Sequence, residues 1–291
     1  MSRVAITTDS NSGITQEQAK ELGVFVIPMP FSINGKAYKE GIDLDHEAFY
    51  EFLAQDAEVF TSQPSVAELM EFWDGILKDY DQIVHIPMSS GLSSSCQTAM
   101  TFASEEYEGK VFVVDNQRIS ITQRLSAIEG KQMADKGMSA EQICKFLMDT
   151  KFESSIYITV DTLKYLKKGG RVTPAGAAIA SVLNLKPVLT IQGEKLDAYE
   201  KARGMKKARA IMVQAVKDDI ESRFGGLENY KDNVIIEVAH TSDDETVQDW
   251  IDQLRAEFPD AGLYSDPLSL SVACHIGYGS LAVAVSKRHD F

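Results

Sequence analysis

Cysteine is scarce in this chain. Cys96, Cys144 and Cys274 form no CxxC pair, and the odd count leaves one without a partner. Neither a disulfide framework nor a zinc site is suggested. The opening VAITT run stops at Asp9 and is far too short for a signal-peptide core. The longest stretch without a charged side chain runs from Pro267 to Ser286, where Gly277, Gly279, His275 and several serines break it as a membrane span. There is no internal repeat and no low-complexity tract, which excludes a disordered chain. Positive charge is also in deficit, with 29 Lys plus Arg against 43 Asp plus Glu and a formal net charge of −14. A field of that sign argues against a general nucleic-acid binder, whose affinity rests on neutralising phosphates. GxxxxGK followed by Ser or Thr, GxSxG and HExxH are all missing, so a nucleotide kinase, an elbow-type hydrolase and a zincin lack their motifs.

What is present is an ordinary globular balance. A 44% hydrophobic share over 291 residues can build a sizeable core, and the length suggests two domains. Short β-branched runs alternate with helical stretches through the first half: strands at 3–7, 24–27, 82–86 and 111–114, and helices at 15–22, 46–54, 65–79, from about 93, at 121–136 and at 139–149. That alternation predicts a mostly parallel, Rossmann-like α/β sheet. A second α/β domain begins near 151–155, which gives expected domains of 1–153 and 154–291. Its predicted elements are the strand SIYITV, a helix at 161–167, the turn Lys168-Gly169-Gly170-Arg171, the small-residue helix AGAAIASVL and the strand KPVLTIQ with a turn at Gly193. After these come a helix at 204–222, the strand NVIIEVA, a helix at 243–257, and the strands GLYS and LAVAVSK. The expectation is a soluble, cytoplasmic protein without metal.

Two loops of the first domain share a design. Thr61-Ser62-Gln63-Pro64-Ser65 and Ser89-Ser90-Gly91-Leu92-Ser93-Ser94-Ser95 each lie between an apolar run and a helix. Hydroxyls and free amides at a helix N-terminus favour an anionic group. If the two preceding strands are parallel neighbours, both loops lie at the carboxyl edge of one sheet, where open α/β folds bind ligands. The same serines, Ser65 and Ser93, also fit plain helix N-caps. His275 lies in Cys274-His275-Ile276-Gly277-Tyr278-Gly279, where the glycines permit a tight turn aiming the imidazole into a cavity; it equally fits a satisfied structural histidine. GYGSLA matches the dinucleotide fingerprint formally but precedes a strand, so that reading is rejected.

Taken together the motifs resemble the DegV family of fatty-acid-binding proteins. The resemblance rests on Thr8-Asp9-Ser10, TSQPS at 61–65, SSGLS at 89–93, LKYLKKGGR at 163–171, LNLKPVL at 183–189, K-x-R-x-x-K-K at 201–207 and HIGYG at 275–279. It implies a bacterial two-domain α/β protein that holds one long-chain fatty acid, such as palmitate, in a tunnel between its domains. It would have no cofactor and no catalytic residue of its own. Thr61 and Ser93 would bind the carboxylate, with Ser62, Ser90, Gly91, His275 and Gly277 around it. The head group would be presented to a separate fatty acid kinase subunit, forming an acyl phosphate for phospholipid synthesis. Arg171, Arg203 and Lys207 would lie where phosphate, kinase or an anionic membrane surface approaches. Burying a palmitate-length chain at about 0.8 kcal/mol per methylene supplies roughly 11 kcal/mol before association costs.

Some positions depart from the family pattern. Tyr278 stands where proline is common, Ser94-Ser95 where glycine-threonine is common, and 115–124 lacks the expected small residues. Two other functions compete: a serine-type acyl hydrolase using Ser93 and His275, and a carbonyl or sugar-binding subunit related to dihydroxyacetone kinase. The charge also divides unevenly. Residues 164–209 carry eleven of the 29 basic residues and only three acidic ones, a basic segment that reads either as solvated surface or as a contact for phosphate or anionic lipid.

Overall fold

The computed structural model describes residues 2–178, 185–193 and 195–291. Two compact units divide the chain: Met1–Lys151 with Ser269–Ser271 and Phe291, and Phe152–Leu268 with Val272–Asp290. Both are α/β.

In the first unit the elements run β1 (Val4–Asp9), α1 (Gln16–Leu22), β2 (Phe25–Ile27), β3 (Pro30–Ile33), β4 (Lys36–Lys39), α2 (His46–Ala54), β5 (Val59–Thr61) and α3 (Val66–Ile76). They continue with β6 (Gln82–Ile86), α4 (Ser95–Glu106), β7 (Val111–Val113), α5 (Ser120–Asp135) and α6 (Ala140–Asp149). Strands β2-β1-β6-β7 form an all-parallel sheet. Side chains alternate across it. Ile6, Val84 and Ile86 pack with Ala127, Met133, Ile143 and Leu147 of α5 and α6, whereas Ala5 and Ile83 pack with Leu69, Trp73, Ala99 and Ala103 of α3 and α4. Burial on both faces explains the continuous apolar strand sequences. From β1 the chain moves outward to β2, and from β6 outward to β7, so the strand order reverses between β1 and β6. The crevice outside the carboxyl ends of such a strand pair is where open α/β sheets bind ligands.

Strands β4-β3-β5 make a separate antiparallel sheet that the sequence reading does not contain. It also corrects that reading: the strand leading into TSQPS is β5 of this small sheet, not a parallel neighbour of β6. Helix α3 ends at Ile76, short of the expected 79, and α4 starts at Ser95.

The second unit runs β8 (Ser154–Thr159), α7 (Lys164–Gly169), α8 (Pro174–Ala178), β9 (Leu185–Ile191), β10 (Asp197–Arg203), α9 (Met205–Arg223), α10 (Tyr230–Asn233), β11 (Val234–His240), α11 (Asp244–Glu257), β12 (Gly262–Pro267), α12 (Leu270–Ile276) and β13 (Leu281–Lys287). The first residues of α12 belong to the first unit. A six-stranded mixed sheet, β10-β9-β8-β13-β11-β12, carries α9 and α11 on one face, with Met212, Val216, Trp250 and Leu254 in its core. Three expectations shift. Helix 161–167 is observed at Lys164–Gly169, so Lys168 and Gly169 belong to its last turn rather than to a loop. His275 lies on α12 and not in a turn. β10 and α12 come from segments for which the sequence predicts no element. The C-terminal part of AGAAIASVL and the first two residues of LNLKPVL lie outside the described residues. No helix among the described residues is long and apolar enough to cross a membrane.

Candidate functional site

The loops after β1 and β6 meet at the point where strand order reverses, and a buried carboxylate joins them. Asp9 Oδ1 accepts the Asn11 amide (3.0 Å), Asn11 Nδ2 (2.9 Å) and Gln123 Nε2 (3.0 Å); Oδ2 accepts the Met88 amide (2.9 Å). An unpaired charge here would cost several kcal/mol. Burial pushes the Asp9 carboxyl up, and these donors oppose it. With every donor spent on the loops and α5, Asp9 is a brace for the site and not a free base.

Thr61, half-buried, ends β5 opposite Phe31, and the Ser62 amide donates to Pro30 O (3.2 Å). Ser65 is the N-cap of α3. Its Oγ accepts the Glu68 amide (3.2 Å) and its own amide donates to Glu68 Oε2 (3.0 Å), completing a capping box. Lys39 lies 2.9 Å from Glu68; with the Ser65 amide it holds that carboxyl down at about 2. For Ser65, then, the helix-cap reading holds.

The second loop differs. The amides of Leu92 and Ser93 donate to Ser89 O (3.0 and 3.1 Å), the Gly91 amide to Ser89 Oγ (3.2 Å), and the Ser90 amide to Asp115 Oδ1 (3.2 Å). The N-cap of α4 is Ser94, and its side chain makes no capping bond. Ser93 Oγ accepts the Ser95 amide (3.2 Å) instead. The twelve-residue α4 therefore presents a less fully capped, electropositive N-terminus than α3. Gln63 ties the two loops together: its Oε1 accepts Ser94 Oγ (3.3 Å) and Thr98 Oγ1 (3.2 Å). A small cavity of about 20 Å³, room for about one water, is lined here by Asp9, Ile27, Met29, Leu69, His85 and Pro87, together with Gln63, Pro64, Ser95 and Thr98 from the loops. The structure thus joins the Thr61 and Ser93 loops, but Thr61 and Ser93 are not among the residues lining this cavity. His85, Ser95 and Thr98 are, and the sequence reading assigned them no role; a lone histidine in the apolar strand QIVHI was the available signal.

In the second unit two further motifs form one assembly. Gly277, at φ 76°, closes α12 with its amide on Ala273 O (2.8 Å), and Thr241 Oγ1 donates to Gly277 O (2.7 Å). Added methyls would overlap the Tyr165 ring at Gly277 and the His275 ring at Gly169. LKYLKKGGR and HIGYG are therefore packed directly on each other. Burial, then the Arg171 charge, lowers His275 to about 4, so the imidazole is neutral at pH 7. Arg171 turns back to donate to Gly169 O. Farther along, Arg203 ends the edge strand β10, and Lys206 and Lys207 occupy the first turn of α9, which carries no acidic residue. Cations at the positive end of a 19-residue helix are unfavourable by themselves and favourable next to an anion.

Comparison with known proteins places this architecture. The family described as "Uncharacterised protein, DegV family" matches residues 3–288. A DegV domain-containing protein of Deinococcus radiodurans is 30% identical over 283 residues, 97% of this chain and 98% of that one. The fold superposes on the fatty acid binding DegV family protein of Thermus thermophilus with a TM-score of 0.89 at 27% identity, covering 98% of this chain and all of that one. For DegV of Bacillus subtilis, a fatty acid binding protein, the TM-score is 0.87 at 27% identity, over 99% of this chain and all of that one.

Proposed function

This chain belongs to the DegV family, and from that premise we propose that it binds one long-chain fatty acid and carries it as a non-catalytic subunit. The carboxylate is taken by the Thr61 and Ser93 hydroxyls and the N-terminus of α4, with Ser62, Ser90 and Gly91 shaping the loops around it. The observation that carries the reading is the contrast between the two helices: α3 is closed by a full capping box, whereas α4, stitched to the Thr61 loop by Gln63, lacks a side-chain cap at Ser94. Hydroxyls and amides stabilise a carboxylate without enclosing it in a cation clamp, so one oxygen stays open as a nucleophile toward phosphate. The reading continues to a separate kinase subunit that phosphorylates this carboxylate, giving an acyl phosphate for phospholipid synthesis.

For the second unit the proposal runs residue by residue. His275, neutral and packed on Gly169, offers the ligand an uncharged hydrogen-bonding group, and Gly277 ends the helix that carries it. Arg171, Arg203 and Lys207 serve phosphate, the kinase subunit or an anionic membrane surface; the lysine pair at the start of α9 supports this, being placed where an anion lowers its cost.

Organic extraction of the purified protein followed by mass spectrometry tests the ligand. Recovery of a long acyl chain is expected; no acyl chain, together with no binding of added palmitate or oleate, would sink the proposal. Thr61→Ala with Ser93→Ala is expected to weaken fatty-acid retention at an unchanged circular dichroism spectrum. Undiminished retention removes both residues from the site.

A further inference from the structure

The stretch between β7 and α5 is another loop at the carboxyl edge of the parallel sheet, beside the SSGLS loop that follows β6. Its backbone is unusual: Gln117 and Ser120, neither of them glycine, stand at φ 57° and 55°. Such left-handed residues persist where the surroundings over-determine them. Here the buried Arg118 donates from Nη2 to Thr150 O (2.9 Å) and from Nη1 to Ser126 Oγ (3.2 Å), and the buried Asn116 donates from Nδ2 to the same hydroxyl (2.8 Å). The loop is thus fastened to α5 and to Thr150, which ends α6. To the SSGLS loop it offers acceptors. Arg118 O takes the Ser89 amide (2.9 Å), and Asp115 Oδ1 takes the Ser90 amide (3.2 Å). The Cys96 thiol, in the first turn of α4, hydrogen-bonds the same Asp115 side chain; burial, then the Asp115 charge, pushes that thiol up.

We propose, resting on the fatty-acid reading above, that Asp115 is a positioning residue for the ligand carboxylate, clasping the SSGLS loop at Ser90 and at Cys96 and so fixing the Ser93 hydroxyl and the start of α4. Ser93 lies between the two attachment points. Its amide is tied to Ser89 O (3.1 Å), next to the first of them. Its hydroxyl accepts the Ser95 amide (3.2 Å), next to the second. The place of Ser93 is therefore inherited from both. Asp115 itself repels an anion, so it acts through the loop and not by touching the ligand. A hydroxyl held in advance spares the ligand the cost of ordering the loop, and that saving appears as affinity.

The test uses the delipidated full chain and measures affinity for laurate, myristate and palmitate. Asp115→Ala removes the acceptor and is expected to weaken all three by about tenfold, as for the loss of one hydrogen bond. Because the damage lies at the head group, the gain in affinity per added methylene should match the wild type. Asp115→Asn keeps an oxygen for the Ser90 amide and should recover most of the loss. Asp115→Ser, one bond shorter than the carboxylate, takes the place of Asp115→Ala where that variant does not fold. The inference is overturned if the shortened variant binds as the wild type does, if Asp115→Asn is equally weak, or if the loss grows with chain length. When the wild type binds the acids, any of these failures leaves the fatty-acid reading standing; if it binds none of the three, both fall.

Discussion

Substituting Glu40 with glutamine is expected to change how stability depends on pH. Glu40 is 6% exposed, and its carboxylate accepts Ser10 Oγ (3.0 Å), Ser271 Oγ (2.5 Å), the Ser271 amide (3.3 Å) and the Leu270 amide. Burial outweighs those donors and raises the carboxyl from 4.5 to about 7. Between these values the native protein holds a proton that the unfolded chain has released, so stability falls as pH rises through the window. At about 1.4 kcal/mol per pH unit the separation corresponds to about 3 kcal/mol. Glutamine occupies similar space and does not titrate. His85 and His275, lowered by burial, act in the opposite direction, because the unfolded chain binds their protons first and stability rises with pH through their windows. They are common to both proteins, so the difference between them isolates Glu40. The assay is urea unfolding of wild type and Glu40→Gln at intervals from pH 5 to pH 8. The difference should move by about 3 kcal/mol in favour of the variant as pH rises. Parallel pH profiles would refute the reasoning.

Three further outcomes are expected. Ser65→Ala removes the α3 capping box and should cost about 1 kcal/mol in urea unfolding, while fatty-acid affinity changes little. Gly169→Ala places a methyl on the His275 ring and should destabilise the second unit by about 1–3 kcal/mol; thermal unfolding unchanged from wild type would show that the contact yields freely. The His275 imidazole resonances should stay flat in NMR from pH 5.5 to 8 and move only in more acid solution, and a midpoint near 6.5 would contradict the burial argument.

How much of this was legible in the sequence depends on how local the signal is. The main parallel-sheet strands are apolar runs, and α1, α3 and α6 begin with capping boxes at Thr15, Ser65 and Ser139, so these elements could be read directly. The small β4-β3-β5 sheet could not be read that way. Its strands are three or four residues long, and KAYK alternates with little apolar character. One local signal was available: Asn34-Gly35, both at positive φ, is a two-residue hairpin turn between β3 and β4. The edge strand β10 reads as a basic stretch because its exposed side chains are charged, as protected edges commonly are. The site follows the same division. TSQPS and SSGLS stand out as loops, but that one helix is fully capped and the other is not depends on side-chain geometry. The packing of Gly169 on His275, more than one hundred residues apart, exists only in three dimensions.

The first unit's piecewise composition bears on the order in which the chain is made. Residues 1–151 emerge with β1 to α6 complete, yet Glu40 then lacks the donors that Leu270 and Ser271 supply, and Phe146 lacks the ring of Phe291 that meets it at 5.1 Å. Until synthesis approaches the C-terminus, a carboxyl headed for the interior has only Ser10 from among these partners. The nascent first unit is therefore expected to remain looser around β4 than the finished protein, and to tighten last at the segment that opens α12.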